Sequence, residues 1–199
     1  IDPGNPKFEV FNITKLVGGM NEASTERAVK LYEMVIDKVI PVDTPEIAEA
    51  AKIMENIFRN VNIALVNEMA LIFERMGIDT WKVIEGAATK PFGYMPFYPG
   101  PGVGGHCIPL DPHYLSYQAR KYGISPRFIE LSADINRFMP VHAVNLAKSG
   151  LEKVSRGLRG SKILVCGLSY KAEIDDTREA PSYILVEELI HDGLSLIHI

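Results

Sequence analysis

Cysteine is scarce in this 199-residue chain: Cys107 and Cys166 are the only two, far apart and in unlike surroundings. No disulfide framework is expected, and so low a count suits a reducing compartment, with the cytoplasm as the expected location. A basic excess is also lacking. The net charge of −4 argues against nucleic acid as the main ligand, because neutralising phosphate backbones needs a surplus of Lys and Arg. A small anionic ligand stays open, since it needs only a local patch of donors. No apolar run approaches the ~20 residues that span a bilayer, so no membrane partner is expected. No basic segment followed by an apolar one opens the chain at Ile1, so no secretory signal is read. With 47% apolar and 23% charged residues, disorder is not expected and a packed core is feasible.

The first stretch reads as strand, helix, strand. "NITKLVGG" ends in paired glycines, "NEASTERAVKLYEMVIDKV" has helical apolar spacing, and "VIPV" is a short β-branched run. A chain that opens this way resembles the tail of a larger α/β unit. Thr44-Pro45-Glu46 is a helix start: a hydroxyl to cap, a proline where no donor is lost, and an early acid. From Ile47 to Met76 neither Gly nor Pro intervenes, and the apolar residues wrap more than one stripe. Burial on two sides, one of them by a second subunit, is the expectation.

A shorter helix is expected from Asp79 into "WKVIEGAA". The long loop "TKPFGYMPFYPGPGVGGHCIPLDP" follows, then helices over "HYLSYQARKYG" and from about Pro126 to Ser155. "KILVCGLSY" reads as a buried strand and "SYILVEELIHDG" as the helix after it. A lone β-α-β piece cannot bury both faces of its sheet, so this end reads as cut short. The last six residues, "LSLIHI", read either as a closing strand or as residues foreign to the protein.

Within the loop, glycines let a ligand lie against the backbone and prolines stiffen the chain around Cys107. A thiol there is expected to be accessible and nucleophilic; the plain alternative is an incidental thiol on an exposed turn. A metal site from His106, Cys107, Asp111 and His113 lacks a second Cys or His pair at ligand spacing, and no metal is expected. Lys52 and Asn56, four apart on the long helix, share a face. They are either a solvated pair or a charge and a hydrogen-bond donor for an oxyanion. Cys166, inside "KILVCGL", reads as a small buried hydrophobe.

"PGPGVGGHCIPLDPHYL" resembles the active-site loop of the UDP-glucose/GDP-mannose dehydrogenase family, the NAD-dependent nucleotide-sugar 6-dehydrogenases. "EIAEAAKIMENIFRNVNIALVNEMA" is similar to that family's central dimerisation helix, and "KILVCGLSYKAEIDDTREAPS" to its C-terminal UDP-binding domain. Within the family, the loop looks closest to UDP-N-acetylglucosamine 6-dehydrogenases, with UDP-N-acetylmannosamine dehydrogenases next and UDP-glucose as a further alternative. The resemblance implies an α/β fold with incomplete Rossmann-like pieces at both ends, joined by an all-helical central dimerisation domain. Residues 1–43 would be the remnant of the NAD-binding domain, 44–157 the central domain with the catalytic loop, and 158–199 a truncated UDP-binding domain.

The resemblance also implies a reaction. Two successive oxidations at C6 of the sugar pass hydride to NAD, with the aldehyde held on Cys107 as a thiohemiacetal and then a thioester until water releases the uronic acid. Lys52 and Asn56 would steady the oxygen at C6, and Asp111 would help activate water. Tyr98, Gly104, Tyr170 and Lys171 would touch the UDP-sugar. Asp175, Asp176 and Arg178 read as structural, and His106 and His113 as exposed loop residues. A homodimer through the central helix is implied, and a uronic acid for surface polysaccharide as the product.

The resemblance has a gap. The one literal G-x-G-x-x-G, Gly100 to Gly105, has no strand before it, and "HCIPLDP" is not expected to open a helix. "CGLSYK" has a strand but a single glycine. The true motif and a glutamate of the family's N-terminal domain are both missing. The chain therefore reads as a fragment that would not catalyse dehydrogenation alone, with its main cofactor-binding site unknown. Two rivals remain: a thiol hydrolase or transferase pairing Cys107 with His142 or His113, and a non-catalytic helical dimerisation module.

Overall fold

The computed structural model describes residues 5–157, 159–193 and the backbone of 195–198. Of the expected domains, residues 1–4 of the first and 158, 194 and 199 of the last lie outside the described residues. The chain divides into two compact units, residues 1–55 with 172–174, and residues 56–171 with 175–199.

The first unit is a parallel β-α-β piece. Strand β1 (Lys15–Gly18) pairs with β2 (Val39–Val42), Lys15 opposite Val39 and Gly18 opposite Val42. Helix α1 (Glu22–Tyr32) lies between them and is started by a capping box. Asn21 Oδ1 accepts from the Ser24 N–H at 2.9 Å, and Ser24 Oγ accepts from the Asn21 N–H at 3.0 Å. Val17 and Ile36 are buried.

Helix α2 (Pro45–Met76) begins as expected. The Thr44 hydroxyl accepts from the Ile47 N–H at 3.4 Å. A backbone hydrogen bond, then one from Thr44, holds the Glu46 carboxyl below its ordinary range. The helix ends where Gly77 turns to φ +70, with Ile78 N–H donating to Phe73 O at 2.8 Å and Gly77 N–H to Glu74 O at 3.1 Å.

Within the second unit, α3 (Thr80–Ala88) is capped by Asp79, whose Oδ1 accepts from the Trp81 N–H. Helix α4 (Cys107–Lys121) and α5 (Arg127–Lys153) follow. Strand β3 (Lys162–Val165), α6 (Pro181–His191) and β4 (Ser195–His198) close the chain, the strands parallel with Lys162 opposite Ser195. Val144 of α5 and Leu189 of α6 form a small core with Ile163, Val165 and Leu185. The architecture is therefore α/β at both ends with a helical centre.

Three expectations are corrected. Helix α4 opens at Cys107, straight through "CIPLDP". Pro109 falls in the first turn, where backbone N–H groups have no intrahelical acceptor, so its missing donor costs nothing. Cys166 is exposed, not buried: β3 ends at Val165, and one helix cannot cover both faces of a two-stranded sheet. Nor is the face of α2 that this chain covers its aliphatic one. Phe58, Leu65 and Ile72 are 44%, 52% and 43% exposed, because the face this chain covers is made of other residues: Asn56, Asn60, Ala64, Val66 and Asn67.

Candidate active site

The approach to Cys107 is a loop of alternating glycines, Gly100 held by a hydrogen bond and Gly102 and Gly104 pressed against different supports within the second unit. Gly100 donates its N–H to Asn67 Oδ1 of α2 at 3.0 Å. Gly102, at φ +123, comes against α5, where an added Cβ would lie 3.3 Å from Asn136 O and 3.5 Å from Pro140 Cδ. Pro140 has no N–H to give Asn136 O, which leaves that carbonyl facing the loop. A Cβ on Gly104 would lie 2.4 Å from Tyr170 Cβ and 2.9 Å from Glu179 O. Only glycine fits there.

The loop delivers Cys107 as the first residue of α4, exposed to solvent. Asp111 follows one helical turn later, on the same face. From α2, Asn56 donates Nδ2 to Asp111 Oδ2 at 2.8 Å, and Arg59 donates Nη1 to Asn56 Oδ1 at 3.1 Å. Asn56 is 1% exposed. The arrangement is a nucleophile at the N-terminus of α4, with an acid held one turn away. Negative charge developing at the thiol or at an oxygen attached to its sulfur is met by the positive end of α4. The held carboxylate can take a proton from water.

The other predicted residues fall as follows. Tyr98 stacks on Trp81, ring centroids 5.7 Å apart and planes at 20°. Gly104 lies on Tyr170, and Lys171 follows Tyr170 with Ser169 Oγ donating to its carbonyl at 3.2 Å. Lys52 belongs to the first unit, where its ammonium is 4.0 Å from Glu55. Asp176 and Arg178 form a two-point clasp, Nε to Oδ1 at 2.9 Å and Nη2 to Oδ2 at 2.7 Å. The guanidinium holds the Asp176 carboxyl well below the usual carboxylate range, and Asp176 raises Arg178 in turn. Asp176 O also accepts from the Tyr170 N–H at 3.3 Å, so the clasp braces Tyr170. Asp175 and His106 are exposed. His113 lines a cavity of about 430 Å³ with Val103, Pro109, Asn136 and Tyr183, and Cys107 is not on its wall. His142 pairs with Glu74 at 3.2 Å. Among the described residues, no cluster of three or more His, Cys, Asp or Glu could hold a metal ion. No described helix is long and apolar enough to cross a membrane.

Arg59, Trp81 and the buried amides of α2 other than Asn56 escape a reading confined to reactive residues. Asn56, Asn60 and Asn67 are spaced by four and seven, hence on one helical face, and that spacing is the signal that could have found them.

A pyrophosphate cradle of the Rossmann kind is not present among the described residues. The one strand–glycine–helix turn that could serve, Gly18-Gly19 before α1, is filled by its own side chains. Gly19 N–H donates to Thr25 Oγ1 at 2.9 Å, and a Cβ on Gly19 would lie 2.4 Å from Ser24 Oγ.

Residues 46–138 match the sequence model of the UDP-glucose/GDP-mannose dehydrogenase family, central domain. The chain is 36% identical over 194 residues to a UDP-N-acetyl-D-mannosamine dehydrogenase of Methanocaldococcus jannaschii, covering 98% of this chain and 43% of that protein. It is 37% identical over 190 residues to a UDP-N-acetyl-D-glucosamine 6-dehydrogenase of Pseudomonas aeruginosa, covering 95% and 44%. A solved structure of a UDP-D-ManNAc dehydrogenase from Pyrococcus horikoshii superposes with a TM-score of 0.85 at 34% identity, covering 94% of this chain and 44% of that one. The chain spans a little under half the length of these relatives. Residues 46–138 carry the central domain of the UDP-glucose/GDP-mannose dehydrogenase family.

Proposed function

We propose that the complete protein is a four-electron UDP-N-acetylhexosamine 6-dehydrogenase, and that this chain supplies the covalent and hydrolytic half of its chemistry. The observation that carries the reading is the Cys107–Asp111–Asn56 arrangement. A thiol at the head of α4 sits one turn before an acid that is fixed from α2, 55 residues earlier in the sequence. A loop held at Gly100, Gly102 and Gly104 leads into it.

Two nicotinamide cofactors would each accept one hydride per sugar; the described residues do not fit the pyrophosphate, so the hydride steps are left to the complete protein. Cys107 Sγ bonds to the C6 aldehyde carbon as the carbonyl π bond breaks, and the thiol proton ends on the new hydroxyl. Once that carbon stands at the thioester level, water attacks it and the C–S bond breaks. Asp111 takes the proton from water, and the thiol is restored. Asn56 orients Asp111; Lys52 is assigned its charge at the C6 oxygen by the family resemblance alone. Tyr98, Gly104, Tyr170 and Lys171 line the UDP-sugar in this reading, with residues 1–43, 44–157 and 158–199 as its three domains. The exposed stripe Phe58, Leu65, Ile72 supports a homodimer through α2.

UDP-N-acetylglucosamine is the first substrate to try, and relatives acting by name on UDP-N-acetylmannosamine support that sugar equally. The test counts NADH released by the complete protein with each sugar and with UDP-glucose, beside a Cys107→Ser variant. Two NADH per sugar with one of them, abolished in the variant, is the expected result. No NADH with any sugar, from folded protein that binds NAD, overturns the reading.

A further inference from the structure

The largest fully buried side chains of this chain include three asparagines, Asn56, Asn60 and Asn67, where aliphatic residues would be ordinary. Burying an amide is unfavourable unless every group is satisfied, and a partly satisfied network is worse than an apolar core. Here the amides satisfy one another in a single direction. Gly100 N–H donates to Asn67 Oδ1 at 3.0 Å, Asn67 Nδ2 to Asn136 Oδ1 at 3.0 Å, and Asn136 Nδ2 to Asn60 Oδ1 at 2.7 Å. Asn60 Nδ2 then donates to Ser132 Oγ at 3.2 Å, and Ser132 Oγ to Ile129 O at 3.0 Å. Asn136 and Ser132 are themselves buried, at 6% and 3% exposed.

Two features tie this ladder to the loop rather than to helix packing alone. Its free end is spent on the loop backbone. Gly100 lies between Pro99 and Pro101, neither of which has an N–H, so Gly100 carries the only backbone donor of that tripeptide. And no amide in the ladder can flip without losing the bond on each side, so each one fixes the orientation of the next.

We infer that Asn67, Asn136 and Asn60 are positioning residues: a one-way chain of amides that holds the loop at Gly100 and thereby sets the conformation in which Cys107 is presented. In this assignment they act through the loop and not on the reacting atoms. The inference rests on Cys107 being the reacting residue, but its readouts need no turnover.

The experiment uses the complete protein with 15N-glycine labelling and the variants Asn67→Leu and Asn136→Leu. Hydrogen exchange at the Gly100 amide rises about tenfold in Asn67→Leu, the effect of losing one hydrogen bond. It rises also in Asn136→Leu, although Asn136 does not touch Gly100, because the Asn67 amide is then free to turn. The Gly77 amide, which donates to Glu74 O at the end of α2, stays within about twofold, separating local release from global loosening. Iodoacetamide labelling of Cys107, read by peptide mass to separate it from the exposed Cys166, changes rate in both variants as the presentation of the thiol changes. Where a leucine variant does not fold, Asn136→Ser takes its place. Native exchange at Gly100 or native alkylation in the folded variants overturns the inference. Absent NADH release with these readouts still displaced would instead sink the dehydrogenase reading and leave the ladder standing.

Discussion

Asn56 Nδ2 donates to Asp111 Oδ2 at 2.8 Å, and Arg59 Nη1 holds the other end of the same amide at 3.1 Å. Arg59 can only donate, so Asn56 must present its oxygen to Arg59 and its NH2 to Asp111. The carboxylate is thereby fixed through Oδ2. An acid one turn from a nucleophile is common enough in helices; one locked by a buried amide from another helix is arranged for use.

Asn56→Asp should therefore be more damaging than its size suggests. It sets two carboxylates at hydrogen-bond distance, one of which must take up a proton near neutrality. Turnover in the complete protein falls about 10²-fold or more, and the pH-rate profile shifts to the alkaline side, while Cys107 still alkylates. A steady-state pH series on both proteins checks this.

Gly104→Ala should cost about 1–3 kcal/mol, the range for forcing extra volume into a packed contact, read from denaturant unfolding. The partner in the clash is Tyr170 Cβ at 2.4 Å, not its ring. Adding Tyr170→Ala therefore gives no rescue, because alanine keeps that atom. Rescue by the double variant would show that the ring, not the backbone approach, sets the requirement.

The Asp176–Arg178 clasp gives a pH prediction with a definite sign. Asp176 titrates below its ordinary value of 3.8 in the folded protein, so its contribution is complete above the unfolded value and is lost only as pH falls through the depressed one. Arg178 stays charged well into alkali. The difference in Tm between native protein and Asp176→Asn is expected to be flat from about pH 5 to 8 and to narrow only below about pH 4. It is also expected to be small, as the pair faces solvent. A difference that already varies near pH 6 would rule the clasp out as its source.

The homodimer proposed through α2 predicts that Leu65→Lys yields a folded monomer. Phe58, Leu65 and Ile72 recur every seven residues on α2 and are exposed within the chain, so a charge among them disturbs only what packs on that stripe. Light scattering on the complete protein after size-exclusion decides. An unchanged mass would exclude this stripe as the contact.

Much of the fold was legible because its boundaries carry local chemistry. Thr44-Pro45-Glu46 and Gly77 mark the ends of α2, and Asp79 marks the start of α3, each through a hydrogen bond that needs no tertiary context. The thiol was legible from its Gly- and Pro-dense setting. What escaped depends on contacts distant in sequence. Proline was weighed as a breaker throughout "CIPLDP", although Pro109 stands where a helix has no donor to lose. The covered face of α2 was sought among its aliphatic residues, because polarity usually marks the outside. Asn60 and Asn67 can be recognised as interior only once Asn136, some 69 to 76 residues later, is seen to complete them.

The stacking of Trp81 on Tyr98 has a practical consequence. Trp81 is the only tryptophan of this chain, and it is half-exposed beneath the stretch that leads to Gly100. Indole emission from the chain is accordingly a one-site optical signal, placed at the foot of the loop and quenched or shifted by whatever moves Tyr98. Ligand titrations could be followed by fluorescence with no label attached.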